Sequence, residues 1–174
     1  MAKEIEANQG HLSTGIFGTR YLFEVLAENG MNELAFTILN KTTYPSYGYW
    51  IHQGATTTWE KWNGKDSRNH PMFGGGLTWF YKYLCGVSPL KPGFKSIQFR
   101  PIIPDSISEA SYSMETAYGN VAIHWKKEGE RLRVRVTVPR TCQGVVYLPT
   151  RKINKDALMA QGNAQVMLIE QYDD

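Results

Sequence analysis

The stretch from residue 121 to 138 constrains the fold more than any other. Val121, Ile123 and Trp125 alternate with Ala122 and His124. After a turn at Glu128-Gly129-Glu130, Leu132, Val134, Val136 and Val138 alternate with Arg131, Arg133, Arg135 and Thr137. Successive side chains of a strand point to opposite faces, so this spacing predicts a β-hairpin with one buried face and one wet face. An isolated hairpin is at best marginally stable in water. Other strands must therefore complete the sheet. Candidates are Ile97 and Phe99, the run 110–116, Val145 to Leu148 closed by Pro149, and Val166 to Ile169. The rest of 150–174 is weakly patterned.

The first half reads differently. Ser13 or Thr14 can cap a helix with apolar positions Ile16, Leu22, Val25 and Leu26. Asn29-Gly30 is a stop signal, since both residues tolerate the left-handed conformation that closes helices. A second helix spans about 32–40, with Leu34, Ile38 and Leu39 as its stripe. No period persists from 42 to 69, a length of loop that is usually functional or disordered. Its aromatic residues argue against disorder. Pro71 suits a first helical position. The glycines at 74–76 predict that the regular helix starts near Leu77, with Leu77, Phe80, Tyr81 and Leu84 on one face. Gly86, Pro89, Pro92 and Gly93 then form a linker-like turn region. Helices followed by short strands indicate an α+β chain with separate layers or domains, 1–90 and 91–174.

Composition narrows the function classes. At 174 residues and 42% hydrophobic content the chain can pack a core. A net charge of +3 demands no charged partner. Lys126, Lys127, Arg131, Arg133 and Arg135 alternate beside Glu128 and Glu130, which reads as a solvated face and not as a nucleic-acid surface. Cys85 and Cys142 lie far apart in apolar settings and read as buried thiols. No His, Cys or acid spacing fits a metal, and no glycine motif fits a phosphate, so no cofactor is expected. The N-terminus has no signal-peptide core, and no apolar run reaches the roughly 18 residues of a spanning helix. Aromatic residues make up 13%. About half of the rings are expected in the core, and the rest favour a stacking surface.

One stretch gathers the chemistry. Residues 54–62 read GATTTWEKW, with Glu60 between Trp59 and Trp62. Tyr44, Tyr47, Tyr49 and Trp50 precede it, and Asp66 and His70 follow. By spacing alone, Glu60 reads first as a solvated loop carboxylate. The sharper reading is acid/base chemistry on a sugar, with the indoles shielding the carboxylate. His70 reads equally as a packing or capping histidine and as a ligand to a sugar hydroxyl. Asp66 sits beside Lys65 and near Arg68, and reads as solvated.

The segments HLSTGIFGTRYL (11–22), YPSYGYWIHQGATTTWEKW (44–62), NHPMFGGGLTWFYKYLCGV (69–87) and FKSIQFRPIIP (94–104) resemble the C-terminal part of bacterial α-L-rhamnosidases. Their order and gaps match as well, over about residues 5–150. The resemblance implies the last helices of an α/α toroid followed by a small antiparallel β-sandwich. It implies cleavage of terminal α-L-rhamnose with inversion. Glu60 inherits the role of general base. His70 resembles the family's sugar-contacting histidine, with Asn69 supporting its orientation. Trp59, Trp62 and Trp50 are expected on the substrate side, shaping the pocket and not reacting. The family's general acid lies upstream, and no counterpart stands among these residues. An inverting enzyme needs two carboxyl groups about 6.5–9.5 Å apart. These residues alone are therefore expected to show little or no activity. The implied partners are a rhamnose-containing glycoside and whatever covers the helical face, either the remainder of the parent enzyme or an oligomer partner. No nucleic acid or membrane is implied. The alternative is a non-catalytic carbohydrate-binding or structural domain.

Overall fold

The structure, a computed structural model, describes residues 2–129 and 131–148, and the strand backbones of 158–161 and 165–171. The expected turn residue Glu130 and the strand-ending Pro149 lie outside the described residues. Two compact units emerge, Met1–Trp79 and Phe80–Asp174.

The first unit is helical. Its elements are α1 (Ala2–Ala7), α2 (Ile16–Glu28), α3 (Asn32–Leu39), α4 (Tyr47–His52), a 3-10 turn (Pro71–Gly74) and α5 (Gly75–Thr78). α1 precedes the first helix read from the sequence and buries Ile5. In α2 the buried positions are Thr19, Leu22, Phe23, Leu26 and Ala27. The N-cap is Gly15, which has no side-chain bond to give. Neither Ser13 nor Thr14 caps: the Thr14 hydroxyl is committed to the buried Thr19 hydroxyl at 2.8 Å. The stop at Asn29-Gly30 forms as the sequence predicts. Gly30 has φ +72°, its N–H donates to the Ala27 carbonyl at 3.1 Å, and the Met31 N–H donates to the Leu26 carbonyl at 2.8 Å. That is the Schellman pattern, which satisfies otherwise orphaned carbonyls.

The expectation at 71–84 needs correction. Pro71 does open a helical segment, but the glycines are inside it. A Cβ on Gly75 would stand 2.5 Å from the Arg20 carbonyl oxygen. Gly75 serves the close approach of α5 to α2, and Gly76 lies tight against Leu39 and Tyr47. Residues Trp79–Leu84 then adopt a π-helix. Its wider turn breaks the i, i+3, i+4 stripe. Leu77 is 62% exposed, whereas Trp79 is fully buried. One further apolar strip faces outward: Phe17 (72% exposed), Tyr21 (56%) and Val25 (38%), four residues apart on α2.

The second unit holds two four-stranded sheets that make the small β-sandwich. Its strands are β1 (Val87–Pro89), β2 (Ser96–Phe99), β3 (Glu109–Thr116), β4 (Gly119–Glu128), β5 (Arg131–Thr137), β6 (Gln143–Val146), β7 (Leu158–Gln161) and β8 (Gln165–Gln171). The sheet orders are β1-β2-β6-β7 and β3-β4-β5-β8. Pairing is antiparallel except for β2 with β6, which is parallel. The turn-rich stretch after Gly86 contains β1, a strand the sequence did not announce. The hairpin forms in the expected register, with Trp125 opposite Val134 and Ile123 opposite Val136. Val121, Ile123, Trp125, Leu132, Val134 and Val136 are all at most 2% exposed. Each such side chain contributes about 1.5–3 kcal/mol by leaving water. The Trp125 indole N–H is satisfied by the Leu84 carbonyl at 3.0 Å.

Cys85 and Cys142 are free and buried. Burial pushes the Cys85 thiol up to about 11. Its ionisation therefore opposes folding: the contribution is intact below the unfolded-state value and is lost as pH rises through about 11. At pH 8 a thiol reagent is expected to modify Cys85 only as fast as the second unit opens. Labelling at the rate of a free thiol, read by mass spectrometry, would contradict this burial.

Candidate active site

The loop from 53 to 70 is built over a cluster of rings. Trp50, Trp59 and Trp62 are 2%, 5% and 9% exposed. Trp50 sits at the centre, with ring centroids 4.5 Å from Trp62, 5.1 Å from Phe73, 5.6 Å from Trp59 and 5.7 Å from Tyr47. Edge-on and tilted arrangements dominate, as ring quadrupoles favour. Trp50 donates to the Trp62 carbonyl and Trp62 to the Thr14 carbonyl, each at 2.8 Å. The Tyr47 hydroxyl donates to the Phe73 carbonyl at 2.5 Å. Burial holds the Tyr47 phenol well above its usual range.

The helix α4 that carries Tyr47 and Trp50 lies in the stretch where no period is legible. It has its own cap, since Ser46 Oγ accepts the Tyr49 N–H at 3.0 Å. Tyr47 and Trp50 join the ring cluster, whereas Ile51 is 68% exposed, so this short helix shows no amphipathic stripe of its own.

Glu60 is half-buried, on a return that closes on itself. Its N–H donates to the Ser67 carbonyl at 2.8 Å, and its carboxylate Oε2 accepts the Ser67 N–H at 3.3 Å. One rung further out, the His70 N–H donates to the Thr58 carbonyl and the Thr58 hydroxyl donates to the His70 carbonyl, both at 2.7 Å. The Thr57 hydroxyl donates to the Arg68 carbonyl. The threonines before Glu60 thus fasten its limb of the loop to the one bearing His70. His70 has a buried Nδ1 with no hydrogen-bond partner among the described residues.

Gly64 turns this return with φ +71°, and a Cβ there would stand 2.6 Å from the Trp59 ring. Glycine is required on both grounds. Arg68 lies over the same ring at 4.8 Å and donates from Nε to the Gly64 carbonyl at 3.2 Å. Spacing placed Arg68 in a solvated loop, and only the fold gives it this bracing position. Asp66 pairs with Lys61 at 2.6 Å on the surface. Asn69 bonds through its backbone, to Ser67 Oγ. The ring contacts of Trp59 and Trp62 run to other rings and to Arg68. Both indoles are buried.

Elsewhere, the cations of the β-hairpin are largely spoken for. Arg133 pairs with Glu128 at 2.8 Å, and Lys127 Nζ donates to the Pro104 carbonyl at 2.6 Å. No group of three or more potential metal ligands occurs among the described residues. Among them, no helix is long and apolar enough to cross a membrane.

Residues 1–84 match the bacterial α-L-rhamnosidase 6 hairpin glycosidase domain, and residues 86–162 match the bacterial α-L-rhamnosidase C-terminal domain. An α-L-rhamnosidase of Formosa agariphila is 37% identical over 161 residues, 86% of this chain and 17% of that protein. The solved α-L-rhamnosidase of Dictyoglumus thermophilum is 40% identical, with a TM-score of 0.78 over 85% of this chain and 17% of that one. That of Streptomyces avermitilis, solved with L-rhamnose, is 26% identical, with a TM-score of 0.80 over 98% of this chain and 18% of that one. The chain spans about a sixth of the length of the curated relatives it matches.

Proposed function

The chain belongs to the bacterial α-L-rhamnosidases as their C-terminal part, and from that premise we propose that it supplies the general-base half of an inverting rhamnosidase site. Glu60 takes the proton of the attacking water. The acid that protonates the leaving oxygen comes from the upstream part of the enzyme, as inversion by two separated carboxyl groups requires. His70 offers its imidazole to a sugar hydroxyl. Trp50, Trp59 and Trp62 form the floor that fixes where the loop stands. Residues 1–90 act as a segment of the catalytic domain, and 91–174 as an accessory β domain. The outward strip Phe17, Tyr21 and Val25 packs on preceding helices of the same enzyme.

The observation that carries this reading is the fastening of the loop limb bearing Glu60 to the one bearing His70. The two Thr58–His70 bonds of 2.7 Å and the Glu60–Ser67 bond of 2.8 Å hold both side chains on one braced return. Loops of this length without such bracing would leave a carboxylate free to wander, and a base must sit within hydrogen-bond reach of its water.

The test is assembly. These 174 residues alone are expected to leave an aryl α-L-rhamnoside uncleaved. Joined to the upstream part of the 40%-identical relative, in place of its own C-terminal part, they are expected to restore turnover with inverted product, read by NMR of the released sugar. Turnover by the 174 residues alone, or a retained anomer in the hybrid, would sink the proposal. Calorimetric binding of rhamnose without turnover in the hybrid would favour the carbohydrate-binding alternative.

A further inference from the structure

The wet face of the β3-β4-β5-β8 sheet carries an arginine, Arg135, for which no counter-charge occurs among the described residues. Cross-strand register sets its outward rows. They run Glu109, Lys126, Arg133; then Ser111, His124, Arg135; then Ser113, Ala122, Thr137. In the first row the charges are matched. Glu109 accepts His124 Nε2 at 2.8 Å and lies 3.4 Å from Lys126 Nζ. Those two partners, His124 first, hold its carboxyl below the usual range. Arg133 is taken by Glu128 at 2.8 Å. In the second row, Arg135 is exposed. No ion pair to it occurs among the described residues.

Beside Arg135 the face is hollowed. Ala122 contributes only a methyl between Ser113 and Thr137, and a depression of about 360 Å³ opens there. Its polar lining is Ser111, Ser113, His124, Arg135 and Thr137. The volume falls at the lower end of the range for ligand pockets, about 300–1,000 Å³. That is room for a single ring rather than a bare ion. Three hydroxyls suit a ligand rich in hydroxyls, and a guanidinium with no ion pair among the described residues suits one oxyanion on it.

We propose that this depression binds an acidic sugar, its oxyanion on Arg135 and its ring hydroxyls on Ser111, Ser113 and Thr137. None of these residues belongs to the Glu60 loop. The site is independent of the catalytic reading and would hold an anionic saccharide without cleaving it. An inorganic oxyanion is the other source of the same charge, and the test separates the two.

The experiment is calorimetric titration of the whole chain with methyl glucuronide, methyl glucoside and sulfate. The expected result is binding of methyl glucuronide about tenfold or more tighter than of either other ligand. Arg135→Gln is expected to weaken glucuronide binding by about tenfold or more, the usual effect of losing a charged hydrogen bond. The unfolding midpoint should not move, because Arg135 is exposed. The double variant Ser111→Ala, Thr137→Val keeps the cation and is expected to weaken glucuronide but not sulfate. Sulfate binding as tight as glucuronide would mean an inorganic anion site and overturn the proposal. So would an absence of glucuronide binding, or an Arg135→Gln variant that binds as the parent does. Rhamnosidase activity enters none of these readouts, so failure here leaves the Glu60 reading untouched.

Discussion

A Glu60→Gln substitution is expected to cut turnover of an aryl α-L-rhamnoside by about 10²–10⁴-fold, the contribution of one positioned acid or base. The setting is the hybrid enzyme that joins these residues to the upstream part of a relative. Glutamine keeps the shape and an oxygen acceptor, so the Ser67 N–H that donates to Glu60 Oε2 at 3.3 Å retains a partner. The backbone rung to the Ser67 carbonyl at 2.8 Å does not involve the side chain at all. Unfolding midpoints of parent and variant should therefore coincide. KM should change little, since the amide removes proton uptake and not the pocket. A variant retaining more than a tenth of the parent kcat would exclude Glu60 as the base. A variant that also melts early would point to a loop support, and the loss of turnover would then say nothing about proton transfer.

Trp50→Ala is expected to destabilise the helical unit by about 3–5 kcal/mol, the range for deleting a buried aromatic side chain. Trp50 is 2% exposed and touches the rings of Tyr47, Trp59, Trp62 and Phe73. Removing it opens a cavity under the whole loop. It also strips the Trp62 carbonyl of the indole N–H that reaches it at 2.8 Å. A buried acceptor left without a donor adds about 1–3 kcal/mol of desolvation cost, part of which the range above already contains. Trp50→Phe refills most of the volume but not the hydrogen bond, and should lie between. Denaturant titration followed by near-UV circular dichroism measures both. A cost below about 1 kcal/mol for Trp50→Ala would mean that the ring cluster is not what holds the loop. The same variant in the hybrid should lose turnover with Glu60 still present, because the floor that fixes the return is gone.

The two substitutions divide what was legible in the chain from what was not. The hairpin of β4 and β5 could be read residue by residue, since burial of one face of a strand writes a period of two into the sequence. The close of α2 at Asn29-Gly30 was legible for a related reason: a left-handed turn restricts which residues can occupy it. The motif around Glu60 and the segment at His70 were identified by resemblance, which supplied roles that spacing alone left open.

Where the determining contact is distant in sequence, no local pattern marks it. α4 hides in an aperiodic stretch because its residues pack on rings from three other segments. The glycines at 74–76 look like a weak helix start until Arg20 is seen against Gly75. The π-helix at 79–84 shifts Trp79 inward and Leu77 outward, against the stripe that a regular helix would show. The parallel pairing of β2 with β6 joins strands more than forty residues apart, which no local alternation specifies. The sequence by itself determined that helices give way to a strand domain, which faces of the hairpin are buried, and which acid stands among the indoles. Only the tertiary structure decided that those indoles are buried. The bond from Trp62 to the Thr14 carbonyl spans 48 positions, and a side chain turns toward a partner that distant only once the chain between them has folded.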